Sequence, residues 1–334
     1  HTKYTEFRGD PELRQEISKF YKEEYNMDVA DEEIFVCTSA CEGMYLVMES
    51  ILDDGDEVIV QAPYFTPYPQ QIELARGIPV ELPTYEEEDF QIDVDRLESL
   101  ITERTKALLI NSPSNPTGNC LSVETMQKIA AIAEKYDLIV VADDIYTAFS
   151  YQSPFVPFAS LPGMKERTII VNGFSKTFAM TGWRLGFATG PAPAIKQMTK
   201  LHQYAIMCAP TTAQYAAIEA LDHCEENICQ MREEYNMRRR FIVDAFNKIG
   251  LHTFEPQGAF YIFPCIQSTG MTSDEFCEKL LYSKKVAVVP GTAFGDSGEG
   301  FIRVSYSYSV NHLNEAVKRI GEFVEEVKQG QHKD

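Results

Sequence analysis

The chain has 334 residues, a formal net charge of −20 and 44% apolar residues. Its length suits one large domain with a smaller one, and its acidity disfavours binding to nucleic acid or to an anionic membrane surface. No apolar run has membrane-spanning length and no signal-peptide pattern opens the sequence, so we expect a cytoplasmic protein.

Cysteine and histidine follow no visible pattern. The eight cysteines form no CxxC pair, and the six histidines lack the spacing of a metal-ligand set. We therefore expect reduced thiols, no disulfide framework and no metal site.

The first predicted helix begins at Asp10 and Pro11. Asp is a common N-cap, and Pro is tolerated in the first helical turn. Leu13, Ile17 and Phe20 then recur at helical spacing.

A predicted strand at residues 34–38 leads into a second helix. This helix opens at Ser39, Ala40 and Cys41 and runs to Ile51. A helix start presents unpaired N–H groups and the positive end of the helix dipole, so this junction is a natural seat for a phosphate group.

Three further predicted strands each lead to side chains suited to ligand binding. They cover residues 57–61, 107–110 and 138–142. The first leads to Phe65, whose flat ring can stack on a planar ligand, the second to Asn115, and the third to Asp143 and Tyr146. Because parallel sheets bind ligands at the carboxyl ends of their strands, we expect these side chains to lie at one edge.

Another predicted strand, at residues 169–171, is followed by the turn residues Asn172 and Gly173 and then by Lys176. A lysine in apolar surroundings loses hydration, so its pKa falls and its amine can attack a carbonyl group. Arg184 lies eight positions further on and offers a planar fork of donors to a phosphate or carboxylate. Together they point to pyridoxal phosphate, which carries both an aldehyde and a phosphate.

The order of elements predicts two domains. Strands alternate with helices over residues 34–187, which indicates a largely parallel sheet covered on both faces. A long helical stretch follows at residues 212–249, and the remainder mixes strands and helices. We predict a large domain at residues 1–236 and a small α+β domain at residues 237–334.

Two motifs resemble those of one enzyme family. The stretch VNGFSKTFAMTGWRLG at residues 171–186 and the Asn-Pro-Thr-Gly turn at residues 115–118 are similar to signatures of class I and II aminotransferases, which are fold type I pyridoxal-phosphate enzymes of the aspartate/aromatic aminotransferase kind. The resemblance extends over nearly the whole chain. It implies an α/β fold with a three-layer αβα large domain, a mainly parallel sheet and a smaller C-terminal α+β domain.

The resemblance also implies a reaction. With pyridoxal 5'-phosphate as cofactor, the enzyme would move an amino group between an amino acid and a 2-oxo acid. Lys176 would hold the cofactor and move the proton at the substrate Cα, Asp143 would pair with the pyridine nitrogen, and Tyr146 would reach the phenolic oxygen.

Further residues take roles from the same resemblance. Arg303 would bind the α-carboxylate of the substrate, and Asn115 would contact both cofactor and substrate. The remaining cofactor contacts implied are Ser39, Ala40, Cys41, Phe65, Ser175 and Arg184. Ser39 stands where the family usually has glycine.

The start of the chain bears on assembly. Tyr4 stands five residues before Gly9, where the family has a tyrosine that reaches the cofactor phosphate of a neighbouring subunit. We therefore expect a homodimer with Tyr4 in the partner's site, and we expect the family's N-terminal arm to be absent.

Several alternatives stay open. A carbon–sulfur β-lyase or an aminocyclopropane-carboxylate-synthase-like enzyme would share Lys176 and Asp143. A more remote alternative is the aminotransferase-like domain of a transcription regulator. No motif marks a second arginine for an acidic substrate, so aspartate, aromatic and neutral specificities are all compatible with the sequence.

Overall fold

The computed structural model describes residues 2–330, which contain a large and a small β-sheet. The large sheet comprises β1 (Ile34–Cys37), β2 (Glu57–Ala62), β3 (Ile78–Pro83), β4 (Thr105–Asn111), β5 (Ile139–Asp143), β6 (Thr168–Gly173) and β7 (Gly186–Thr189). Their order is β1-β7-β6-β5-β4-β2-β3. Strand β7 is antiparallel to both neighbours, whereas β2 to β6 pair in parallel. The predicted mainly parallel sheet is confirmed.

Helices cover both faces of this sheet. They are α1 (Pro11–Tyr25), α2 (Ala40–Ile51), α3 (Pro67–Leu74), α4 (Val94–Ser99), α5 (Val123–Lys135), α6 (Phe174–Thr177), α7 (Ala192–Ala205) and α8 (Thr211–His223). Successive residues of a strand point to opposite faces. In β1, Ile34 and Val36 join an apolar core with α1, α5 and α8, while Phe35 and Cys37 join another with α2, α3 and α7. The three-layer αβα arrangement is therefore confirmed.

The small sheet lies in the C-terminal part of the chain. Its elements are α9 (Glu225–Lys248), β8 (Tyr261–Ile262), α10 (Ser273–Lys284), β9 (Val289–Pro290), β10 (Ile302–Ser305) and α11 (Val310–Lys328). The strands pair antiparallel in the order β8-β10-β9. Ile242 and Phe246 of α9 share an apolar core with Phe276 of α10 and Phe323 of α11. This packing gives the expected α+β architecture.

The predicted helical stretch at residues 212–249 consists of two helices, since α8 ends at His223 and α9 begins at Glu225. The predicted domain boundary after residue 236 falls inside α9 and stays a prediction. Residues 1 and 331–334 of the two predicted domains lie outside the described part of the chain.

Membrane spans, disulfides and metal sites were also considered at the sequence level. Over residues 2–330, no helix is both long enough and apolar enough to cross a membrane. All eight cysteines are free. In the same range, no cluster of three His, Cys, Asp or Glu side chains could hold a metal ion.

Three backbone segments meet at Gly186. This residue pairs with Cys37 at the end of β1 and with Gly173 at the end of β6. An ideal Cβ on Gly186 would lie 2.4 Å from the backbone nitrogen of Ala40, and one on Gly173 would lie 2.9 Å from the Cα of Gly186. Only glycine allows so close an approach. The predicted turn at Asn172 and Gly173 is wrong, because both residues pair with β7 as the end of β6.

Ser39, which precedes α2, has an unusual backbone conformation. Its φ is 84° and its ψ is 155°, a region that is populated almost only by glycine. Its side chain makes no capping hydrogen bond to α2. The serine is therefore strained at a position whose backbone suits glycine.

We predict that Ser39→Gly raises the free energy of unfolding by about 1 kcal/mol, because relief of backbone strain exceeds the entropy that glycine adds to the unfolded chain. Urea denaturation measures the change. The matched control is Ser122→Gly: Ser122 has φ −69° and caps α5 by accepting a hydrogen bond from the Thr125 N–H, so the same replacement should lower stability slightly there. If the Ser39→Gly variant is no more stable than the wild type, the interpretation that Ser39 is strained is wrong.

Candidate active site

A cavity of about 410 Å³ lies where the parallel strands of the large sheet end, a size typical of small-molecule sites. It brings together eleven of the predicted site residues, namely Ser39, Ala40, Cys41, Phe65, Asn115, Asp143, Tyr146, Ser175, Lys176, Arg184 and Arg303. Lining residues to which the sequence analysis gave no role are Met44, Tyr68, Gln71, Asn111, Ile145, Thr181 and Tyr261.

Lys176 lies in the short helix α6, directly after β6. Its Nζ is 5.9 Å from the ring centroid of Tyr146 and 5.8 Å from that of Phe260. Burial lowers the pKa of the ammonium group, Asp143 opposes the shift, and Arg303 and Arg184 add to it. Since Lys176 has no carboxylate within ion-pair distance among residues 2–330, its amine loses a proton more readily than that of a surface lysine.

Asp143 is the last residue of β5 and is buried. The hydroxyl of Tyr68 donates a hydrogen bond to its Oδ2, and the N–H of Ile145 donates to its Oδ1 at 3.2 Å. Burial raises the pKa of the carboxyl group to about 6, against the opposing effects of these two bonds and of Lys176. At neutral pH the side chain is therefore mainly an ionised acceptor at the cavity wall.

Asn111 links the ends of two neighbouring strands. Its Nδ2 donates to the backbone oxygen of Asp143 at 2.9 Å, and its Oδ1 accepts the N–H of Asn115 at 2.8 Å. The register of the sheet also pairs Asn111 directly with Asp143. Asn111 thus fixes Asn115 relative to Asp143.

Arg303 enters the cavity from β10 of the small sheet. Its Nη1 donates to Oδ1 of Asn115 at 3.0 Å. The guanidinium carbon lies 4.8 Å from the ring centroids of both Tyr261 and Phe294, an arrangement favourable to a cation. No carboxylate in the described part of the chain pairs with Arg303, so its fork can receive an anionic ligand.

A second anion-binding region surrounds the start of α2. The first backbone N–H groups of a helix have no partner within the helix, and Ala40 and Cys41 occupy this position at the cavity wall. Arg184 is exposed, and its Nη1 donates to the backbone oxygen of Thr181 at 2.8 Å. Ser175 adds a buried hydroxyl. This set of donors suits a phosphate group.

Two tyrosines meet at the cavity wall. The hydroxyl oxygens of Tyr146 and Tyr261 are 3.0 Å apart. Burial raises the pKa of both side chains, so both stay protonated. One hydroxyl donates to the other, and the accepting hydroxyl keeps its own hydrogen for a ligand. Phe65 lines the same cavity and contacts Tyr68 edge to face, with 5.6 Å between ring centroids.

Tyr4 does not line the cavity of its own chain, and 79% of its surface is exposed. Its neighbours are held by α8: Thr211 donates to the backbone oxygen of Lys3 at 2.7 Å, and Gln214 donates to the hydroxyl of Thr5 at 2.9 Å. Its backbone is therefore anchored while its ring projects from the surface.

Tyr68, Tyr261 and Asn111 are the main side chains without a predicted role. Tyr68 lies in α3 and Tyr261 in β8, with no motif to relate either to the strand ends. Asn111 could have been found, because it is a polar residue directly after the apolar run of β4.

Comparison with known proteins identifies the family. The family model described as aminotransferase class I and II matches residues 1–320. The chain is 46% identical over 324 residues to an aspartate aminotransferase of Pyrococcus abyssi, covering 96% of this chain and 83% of that protein. It is 41% identical over 331 residues to aromatic-amino-acid aminotransferase 2 of Thermococcus litoralis, covering 98% of this chain and 85% of that protein.

Solved structures agree with these matches. The crystal structure of an aromatic aminotransferase from Pyrococcus horikoshii has a TM-score of 0.96 and 44% identity, covering 98% of this chain and 89% of the other. The aspartate aminotransferase from Thermus thermophilus with maleate has a TM-score of 0.93 and 36% identity, covering 96% and 84%. With the family match over nearly its whole length, the chain belongs to the class I and II aminotransferases.

Proposed function

We propose that the chain binds pyridoxal 5'-phosphate in this cavity and transfers an amino group between an L-amino acid and a 2-oxo acid by a ping-pong mechanism. The observation that carries the proposal is the environment of Lys176. Its amine is partly buried and has a lowered pKa, beside one carboxylate and two guanidinium groups. Such an amine suits an aldehyde, and the guanidinium groups suit a phosphate and a carboxylate.

The donors and acceptors of the cavity fit the proposed cofactor. The residues that would hold its phosphate are Ser39, Ala40, Cys41, Ser175 and Arg184. Phe65 would contact the ring, and Asp143 would accept a hydrogen bond from the protonated pyridine nitrogen. Tyr146 and Asn115 would donate hydrogen bonds to the phenolic oxygen. The hydroxyl of Tyr68 would keep the Asp143 carboxylate in place.

When bound, pyridoxal phosphate supplies an aldehyde for the amino group and a ring that accepts electrons from the substrate carbon. Arg303 would bind the substrate α-carboxylate through two parallel hydrogen bonds, which fixes the orientation of the Cα–H bond. The Nζ of Lys176, with its lowered pKa, would take the proton from the substrate Cα and deliver it to the cofactor carbon that carried the aldehyde. Tyr261 and Phe294 would keep the guanidinium plane in position.

The same residues could serve a carbon–sulfur β-lyase or an aminocyclopropane-carboxylate-type synthase. The names of the relatives favour transamination, since they are aspartate and aromatic-amino-acid aminotransferases. We propose aspartate and aromatic amino acids as the first substrates to test. Turnover that requires a 2-oxo acid distinguishes transamination from the other two reactions.

For assembly we propose a homodimer in which Tyr4 reaches the partner's cofactor phosphate. Tyr4 and Tyr204 are 79% and 80% exposed, and Ile206 and Met207 after α7 are also exposed. Tyr204, Ile206 and Met207 lie close together in the chain, and a contiguous exposed apolar patch is typical of a contact surface. Two-fold dimers are the commonest assembly. We also propose that the protein lies in the cytoplasm, because the composition and the cysteine pattern of the sequence are typical of a cytoplasmic enzyme.

The first test replaces the proposed cofactor-binding lysine. We expect Lys176→Ala to reduce transamination to background, because no other amine lines the cavity in the described part of the chain. Borohydride treatment of the wild-type holoenzyme should attach a cofactor-derived mass to the Lys176 peptide in mass spectrometry. The control is Lys106→Ala, because Lys106 is exposed and lies at the end of β4 that is remote from the cavity. Normal turnover in Lys176→Ala would refute the proposed function.

A second prediction concerns the charge of Asp143. Burial raises its pKa from 3.8 to about 6, so ionisation is less favourable in the folded state than in the unfolded one. The resulting destabilisation of the folded state is absent at pH values below the pKa of Asp143 in the unfolded chain. It grows as pH rises from that value to the pKa in the folded state and is complete above it. Two pKa units correspond to about 3 kcal/mol.

We therefore expect Asp143→Asn to raise the free energy of unfolding of the cofactor-free protein by about 2–3 kcal/mol at pH 7 and by little near pH 4, while transamination falls. Urea denaturation at both pH values measures the difference. Asp89→Asn, which removes an exposed carboxylate, is the control for the substitution itself. If Asp143→Asn raises the free energy of unfolding equally at both pH values, the effect comes from packing and not from charge.

The third prediction tests the shared site. A heterodimer of one Tyr4→Phe chain and one Lys176→Ala chain has a single lysine-bearing site, and that site would receive its tyrosine from the Lys176→Ala chain. We expect it to keep wild-type cofactor affinity in equilibrium dialysis. If it shows the weakened affinity of the Tyr4→Phe homodimer, Tyr4 acts within its own chain. If that homodimer binds cofactor normally, Tyr4 has no role in either site.

A further inference from the structure

A buried histidine lies behind the start of α2. His202, in α7, is 0% exposed, and its Nδ1 is 2.8 Å from Oε1 of Glu42. Its ring packs edge to face on Phe35, with 5.0 Å between centroids. Its Nε2 is buried and has no hydrogen-bond partner in the described part of the chain.

The other oxygen of Glu42 is also occupied. Its Oε2 accepts the backbone N–H of Thr38, the residue between β1 and Ser39. Glu42 is therefore held at both oxygens, by Thr38 on one side and by His202 on the other. Ala40 and Cys41 in the same helical turn line the cavity, whereas Glu42 is not part of its wall.

The bond to Glu42 explains why a histidine occupies this apolar position. A carboxylate oxygen only accepts, so Nδ1 donates the hydrogen bond to Glu42. A buried ring nitrogen without a partner, such as Nε2, is unfavourable, and a leucine or methionine would avoid it. Among residues 2–330, the contact with Glu42 is the one polar interaction of the ring that offsets this.

Glu42 carries a negative charge close to a proposed phosphate site. Acidic side chains in the first turn of a helix are attracted to its free N–H groups. If released, Glu42 could bind the amides of Ala40 and Cys41 and compete with the phosphate. The hydrogen bonds of Thr38 and His202 direct its carboxylate away from these amides.

We propose that His202 and Glu42 form a positioning pair that keeps the first turn of α2 free for the cofactor phosphate. The inference rests on the proposed function. It adds two residues that lie behind the cavity and do not touch the ligand. Glu42 would order the turn through Thr38, and His202 would prevent Glu42 from turning toward the phosphate.

The experiment measures the dissociation constant of pyridoxal phosphate by equilibrium dialysis of the 334-residue chain. We expect His202→Leu to weaken binding about tenfold, equivalent to about 1.4 kcal/mol. His202→Asn, which keeps a donor for Glu42, should stay within about threefold of the wild type. In the double variant His202→Leu/Glu42→Gln the competing charge is gone, so affinity should return most of the way. His223→Leu, an exposed histidine at the end of α8, is the matched control.

A second readout separates positioning from a general loss of structure. The ³¹P resonance of the bound cofactor should shift in His202→Leu and return toward the wild-type position in the double variant. Urea midpoints without cofactor report on folding in each case. If His202→Leu does not fold, His202→Met takes its place.

If His202→Leu binds pyridoxal phosphate with wild-type affinity, the proposed role of the His202–Glu42 pair is wrong, while the proposed function is unaffected. Equal weakening in His202→Leu, His202→Asn and the double variant would also overturn it, because the loss would then be structural. A wild-type chain that binds no pyridoxal phosphate would overturn both the pair and the proposed function.

Discussion

The close packing of backbone at Gly186 holds the two halves of the candidate site together. Strand β6 leads to Lys176 and β1 leads to Ser39, and β7 lies between them with Gly186 paired to the last residues of both. Because an ideal Cβ on Gly186 would lie 2.4 Å from the nitrogen of Ala40, any side chain there would push α2 away from β6. The spacing between the amine of Lys176 and the start of α2 is therefore set by backbone contact, which is stiffer than contact between side chains.

The electrostatics of the cavity oppose those of the whole molecule. A chain with a net charge of −20 places Lys176, Arg184 and Arg303 around a single ionised aspartate, Asp143. Burial strengthens each of these interactions, and the two arginines lower the pKa of Lys176. An anionic substrate is thus attracted by the site and not by the surface. The same burial disfavours the charge on Asp143, so the site reduces the stability of the fold that supports it.

The sequence predicted the parts of the site that depend on local order. In a parallel sheet the residue after a buried strand lies at the ligand edge whatever the order of the strands, so Asp143, Asn115 and Lys176 could be placed from their apolar runs alone. Tyr68 and Tyr261 could not, since their contacts with Asp143 and Tyr146 join elements far apart in the chain.

Chain direction was a second limit of the sequence. The apolar pattern of β7 does not show that the strand runs antiparallel to β6. Because it does, Asn172 and Gly173 pair with β7 and belong to a strand, whereas the sequence predicted a turn there.

The turn before α2 combines three features that stability alone would not favour. Ser39 has a backbone conformation suited to glycine, and Gly186 leaves no room for a side chain. His202 buries a nitrogen that has no partner within residues 2–330. Local features that conflict with folding rules concentrate where function selects the geometry. All three contact the start of α2, where Ala40 and Cys41 line the cavity. The start of α2 is therefore, beside Asp143, a place where the geometry of the candidate site reduces the stability of the fold.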